Sequence, residues 1–290
     1  MGILIAMAYP TEVLANLADH TYVKCGTGGK AWGCWGGKSG GHDLRQGAGG
    51  TKRADAIAKP DEKAGIKCYL INGVCHQAAN RILLPAAITV SGARGYTISE
   101  ALFGTYGRIG LWPCTAPFDK YPTVTGDLPE CIPAKTSRSV KATETIVPSA
   151  SDKLDWHYIN GILQLYGEAA RMLKSRAVTV PEARAFHLRL FMYMVEFHLG
   201  PMLDRTLTKH LRQIRSDVEK ARLKIEKPFT AHEIEINEFA KAFDKITLDF
   251  QDEMAGAMTP EQYCTLFDLK PDERVVLADP NIISEINQAG

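Results

Sequence analysis

Residues 68–85 read Cys68-Tyr-Leu-Ile-Asn-Gly-Val-Cys75-His76-Gln77-Ala-Ala-Asn80-Arg81-Ile-Leu-Leu-Pro85, and their reading decides what kind of first half this chain has. Asn72 is a strong helix-capping residue, so the pattern predicts a helix from Cys75 to Leu84 that Pro85 ends. Ala78, Ala79 and Ile82 fall on one face of it, and that face packs inward. Cys75 then lies in the first turn, where unpaired backbone N–H groups favour a thiolate and can also stabilise an oxyanion. The reading makes Cys75 the candidate nucleophile.

Such a nucleophile needs a base. His76 is a poor one, because adjacent helical residues point about 100° apart. His20 and His42 are the other histidines of the first half. His20 opens the strand candidate His20-Thr-Tyr-Val-Lys-Cys25, whose Thr21, Tyr22 and Val23 favour extended backbone. Gln77 and Trp35 are the candidates for touching substrate. Gln77, with Asn80, would do so if exposed on the helix, and Trp35, with Trp32, would cover a cleft from the glycine-rich tract Gly26–Gly50, read as a loop. The segments Gly92-Ala-Arg94-Gly-Tyr96 and Phe103-Gly-Thr-Tyr-Gly-Arg108 are further candidate cleft walls.

The strand beginning HTYV at His20, followed by the helix beginning NGVCHQAANRIL at Asn72, resembles the circularly permuted NlpC/P60 and related papain-like cysteine hydrolases, in which histidine precedes cysteine. The resemblance covers residues 18 to about 90. It implies a papain-like fold, Cys75 as nucleophile, His20 as general base, and a polar orienting residue on a following strand, for which His42 and Asp43 are the candidates. It also implies hydrolysis of an amide bond through a thioacyl intermediate, with bacterial wall peptides as the leading substrate class and no cofactor.

Around this segment the chain changes character. Glycine is frequent up to residue 150 and sparse beyond it, and the Ser/Thr/Lys-rich stretch between Pro133 and Pro148 marks a boundary. The reading is an α+β class: a cysteine- and glycine-rich domain over 1–147 and a helical bundle over 148–290. The first domain is expected to contain an opening helix near Thr11 to Leu17 and a short strand at Ala87 to Val90. In the second, apolar residues recur at three- and four-residue steps along four helices, with Gly200 and Pro201 between the second and third. That bundle offers a surface to a protein partner. His187, His198, His210 and His232 show no metal-binding spacing and are read as packing or docking residues.

Composition excludes some classes. A formal charge of +1 with 23% charged residues disfavours nucleic acid as a partner. The longest apolar run of the helical half, Leu190 to Val195, is far short of the roughly 20 residues of a membrane span. The apolar start lacks a basic signal-peptide region, so synthesis in the cytoplasm is expected, with export that needs no cleaved signal left open. Seven cysteines, six of them in the first half, support a competing reading: a non-enzymatic, cysteine-rich interaction module, stabilised by zinc, with a helical docking domain. The intervals Cys25 to Cys34 and Cys68 to Cys75 are longer than the close pairs of structural zinc sites, so no metal ligand is assigned.

Overall fold

The computed structural model describes residues 2–11, 17–26, 28–33, 35–109 and 150–289. The boundary stretch, together with Cys34, Cys114 and Cys131, lies outside them. Strands β1 (Gly2–Tyr9), β2 (His20–Cys25), β3 (Ala31–Trp32) and β4 (His42–Gly49) form an antiparallel sheet in the order β3-β2-β1-β4. Helices α1 (Thr51–Cys68), α2 (Cys75–Leu83) and α3 (Tyr96–Phe103) follow. The helical region comprises α4 (Ala150–Ser175), α5 (Val180–Leu199), α6 (Arg205–Thr230), α7 (Ile236–Ala257), α8 (Pro260–Phe267) and α9 (Pro280–Ala289). The chain is α+β with a helical C-terminal region, and no helix among the described residues is long and apolar enough to cross a membrane.

Several local expectations are corrected. The glycine tract contains β3 and β4. The sequence of β4 has little strand propensity, and its pairing along β1 supplies the order instead. Gly47 and Gly49 permit close packing: a Cβ at either would lie 3.1 Å from the Ala86 Cβ in the 3-10 turn Leu84–Ala86. Residues 87–90 form no strand, because Ala87 is left-handed (φ 53°). The extended β1 precedes the segment read as an opening helix, of which residues 12–16 lie outside the described residues. The cap of α2 is Val74 rather than Asn72. The helix still starts at Cys75, and a turn with Leu70 at φ 62° and a hydrogen bond from Leu70 N to Gly73 O occupies the residues around Asn72.

The four helices α4 to α7 match the periodicity of the sequence. Asp204 caps α6 by accepting from Leu207 N at 2.7 Å, and Thr179 with Glu182 forms a reciprocal cap on α5. The helical region and the sheet region share one apolar core, in which Phe103 of α3 stacks on Phe243 of α7 at 5.6 Å. They are also joined by buried charge. Arg108 donates to Glu219 and Glu226 of α6, Arg215 pairs with Glu219 at 3.0 Å, and Arg222 pairs with Glu226 at 3.3 Å. Arg215 also donates to the carbonyls of Ala101 and Leu102, and Arg222 to that of Leu102. After α8 the chain returns to the sheet region: Val276 bridges to Leu17, and the Tyr69 hydroxyl donates to the Leu277 carbonyl at 3.2 Å.

Candidate functional site

The helix α2 begins at Cys75, and Gln77 completes its first turn by accepting from Val74 N at 3.0 Å. The thiol faces β2. It is 7% exposed, lies beside Thr21, and approaches the Asp19 carbonyl at 3.7 Å. Burial pushes its pKa up to about 12, the Asp279 carboxylate adds to the rise, and the Thr21 and His76 amides with the Thr21 hydroxyl offset only part of it. The expectation of an acidified thiol is therefore corrected: at this helix end desolvation outweighs the first-turn dipoles.

The other residue of the expected pair, His20, is the first residue of β2. Register decides where its ring goes. Thr21 and Val23 pair with Ala8 and Ala6, all on the sheet face packed by α2, whereas His20 and Tyr22 pair with Tyr9 and Met7 on the opposite face. The His20 and Tyr9 rings lie 4.8 Å apart, and the glycine tract covers them. The Tyr22 hydroxyl donates to Gly40 O at 2.7 Å and the Tyr9 hydroxyl to Gly37 O at 3.3 Å. Gly36, at φ 70°, fits over the imidazole so closely that a Cβ there would stand 2.4 Å from Cε1. Neither ring nitrogen of His20 makes a well-formed hydrogen bond. Burial lowers its pKa to about 4, partly offset by the Gly37 carbonyl. Cys75 and His20 thus lie on packed neighbouring elements without hydrogen-bonding each other, and Thr21 is the β2 side chain at the thiol.

The remaining candidates are placed elsewhere. His42 and Asp43 are exposed on β4, which is separated from β2 by β1, so neither orients His20. Gln77 is fully buried and caps α2, and its amide nitrogen donates to Ser99 Oγ at 3.1 Å. Asn80, also buried, donates to Thr105 O and accepts from Val90 N, both at 2.8 Å. Trp35 is a core residue whose ring lies 5.1 Å from that of Tyr69. Polar residues on α2 are inward because the helix is buried all round, which its amphipathic look in sequence conceals. His76 is fixed at both nitrogens, to Asp19 O at 3.0 Å and Ser99 Oγ at 2.9 Å. A carbonyl only accepts, so Nε2 carries the proton and His76 is no base as it stands. Among the described residues no three His, Cys, Asp or Glu side chains gather as metal ligands.

Two depressions meet at this place. One, of about 10 Å³, runs down to Cys75 between Asp19, Tyr69, His76 and Asp279. The other is an open groove of about 450 Å³ between Tyr9, the glycine tract and the start of α9, and it shares Thr11 and Asp279 with the first. Glu285 of α9 accepts from Gly36 N at 3.0 Å, so the last helix holds the glycine tract in place over His20. Asp279 and Glu285 were not legible as site residues. The one local signal is Asp279-Pro280, an acidic residue before a first-turn proline, and it marks only a helix start.

Fold and site together define an α+β protein with a buried cysteine at a helix N-terminus beside the returning C-terminal segment, and a buried histidine covered by a glycine tract that the last helix holds. No family model matches the chain, and no curated protein or solved structure matches it.

Proposed function

We propose that this protein is a cysteine-nucleophile hydrolase that cleaves an amide bond in a peptide, with Cys75 as nucleophile and His20 as proton acceptor. The observation that carries the reading is the packing of α2, which begins at Cys75, against β2, which begins at His20, a buried imidazole with no well-formed hydrogen bond at either nitrogen. The resting pair is a thiol and a neutral imidazole, since a thiol near 12 does not protonate an imidazole near 4. Turnover therefore starts when substrate enters the groove, and it requires the start of β2, with the glycine tract over it, to shift so that the imidazole, which rests on the opposite sheet face, comes within reach of the sulfur. The thiol proton then passes to the imidazole, sulfur bonds to the carbonyl carbon, and first-turn amides of α2 hold the oxyanion. Collapse expels the amine, which takes the proton from His20, and water hydrolyses the thioester. Peptides of the bacterial wall are the substrate class that the HTYV and NGVCHQAANRIL segments favour.

A second reading, a non-enzymatic interaction protein with Cys75 as a core thiol, draws on the burial that pushes this thiol up to about 12. Turnover on peptide substrates, measured beside thermal unfolding for Cys75→Ser, His20→Ala and the double variant, separates the two. In the hydrolase each folded single variant has lost turnover, with no further loss in the double variant. Folded Cys75→Ser protein with full turnover overturns the assignment, and activity lost only in step with unfolding favours the core thiol.

A further inference from the structure

A second cavity, of about 200 Å³, opens on the other side of α3, between the Ser91–Thr97 segment, α4, the end of α5 and the end of α8. The Gly92–Tyr96 stretch that reads as a cleft wall in sequence lines it. The carboxyl group buried in its lining is Glu100, which is 4% exposed. One carboxyl oxygen of Glu100 bonds to the Thr105 hydroxyl, and the other, Oε2, makes no well-formed hydrogen bond, with the Tyr158 and Tyr96 hydroxyls as neighbours of the carboxyl. Burial raises the Glu100 pKa, and the hydroxyls of Thr105, Tyr158 and Tyr96 nearby offset only part of the rise. The other charged or titratable groups that line the space are Arg94, Asp268, His198, Tyr96 and Tyr158. Arg94 is half-buried and Asp268 exposed, so at the rim opposite charges offset each other, while Glu100 is the acid at depth. Aromatic rings form the walls: Tyr158 lies 4.7 Å from Phe197, and Tyr96 and Phe267 also face the space.

A buried carboxyl group with one oxygen outside any well-formed hydrogen bond, enclosed by aromatic rings, calls for a particular ligand chemistry. An unpaired buried carboxylate is expensive, and a cation that pairs with it and meets ring faces removes that cost. The volume suits a molecule somewhat larger than benzene, which fills an engineered cavity of about 150 Å³. We infer that this cavity binds a small organic ammonium ion, its nitrogen against Glu100 Oε2 and its carbon body against Tyr158 and Phe197. Binding releases the Glu100 proton, so affinity rises with pH while the amine stays charged.

The test is calorimetric titration of the full chain with benzylamine and with its neutral analogue benzyl alcohol, at about pH 5 and about pH 8. The inference expects benzylamine to bind at least about tenfold more tightly than the alcohol at the higher pH, with the ratio shrinking at the lower. Glu100→Gln, which keeps the size and the bond to Thr105, should bring the ratio to about one. Equal affinities in the wild type, no saturable binding of either compound, or a ratio that persists in folded Glu100→Gln protein would each overturn it. Should that variant not fold, the wild-type ratio and its pH dependence decide alone.

Discussion

His20 titrates near 6.5 in water and near 4 inside this fold, and the displacement is itself a statement about stability. The folded state binds the proton less readily than the unfolded chain. Its contribution is therefore complete above about pH 6.5 and is lost as pH falls toward 4. His76, also lowered to about 4, acts in the same direction, whereas Asp244, raised to about 6, acts in the opposite one. His20→Phe separates them. It keeps an aromatic ring beside Tyr9 and removes two unpartnered nitrogens. Denaturant unfolding should show the variant losing less stability than the wild type between pH 7 and pH 4.5, by on the order of 2 kcal/mol. Parallel profiles would mean that His20 is solvated in the folded protein. In the proposed hydrolase the same variant has no turnover, so one substitution reads both roles.

At the scale of the element, α2 depends on a residue that the sequence presents as a surface amide. Gln77 accepts from Val74 N and donates to Ser99 Oγ within a region without water access. Gln77→Ala should cost about 1–3 kcal/mol in urea unfolding, the range for orphaning buried polar groups. A change below about 0.5 kcal/mol would place the side chain at the surface. This helix shows how far the sequence is legible. Its existence and start follow from Cys75 onward, because alanine spacing and Pro85 are local signals. Its complete burial does not, because that is imposed by β1, β2, α1 and α3 around it. The four long helices are legible for the first reason. Strand β4 is illegible for the second, since Gly47 and Gly49 announce a loop while serving close packing against Ala86. The Cys75 and His20 positions are readable as element starts. The face to which His20 turns is set by pairing with Tyr9, a long-range fact that no local pattern contains.

Across the whole molecule, the ionic cluster of Arg108, Arg215, Arg222, Glu219 and Glu226 ties the sheet region to α6. Arg108→Met strips Glu219 and Glu226 of a shared partner in the interior, and thermal and denaturant unfolding should show a loss of about 3–5 kcal/mol. The loss should change little with added salt, because buried pairs are weakly screened. A fragment of residues 148–290 lacks Arg108 and the carbonyls of Ala101 and Leu102, and it should show no cooperative melt. A sharp transition in that fragment would show the helical region to be self-sufficient. The dependence also has a temporal side. A ribosome completes Arg108 more than a hundred residues before Glu219, and Leu17 long before Val276, to which it bridges. The nascent sheet region must therefore wait, with its guanidinium uncompensated and the Cys75 thiol uncovered, until α6 and the returning C-terminal segment have emerged. During translation that half is open to holdase chaperones and to oxidants, and final assembly falls after synthesis.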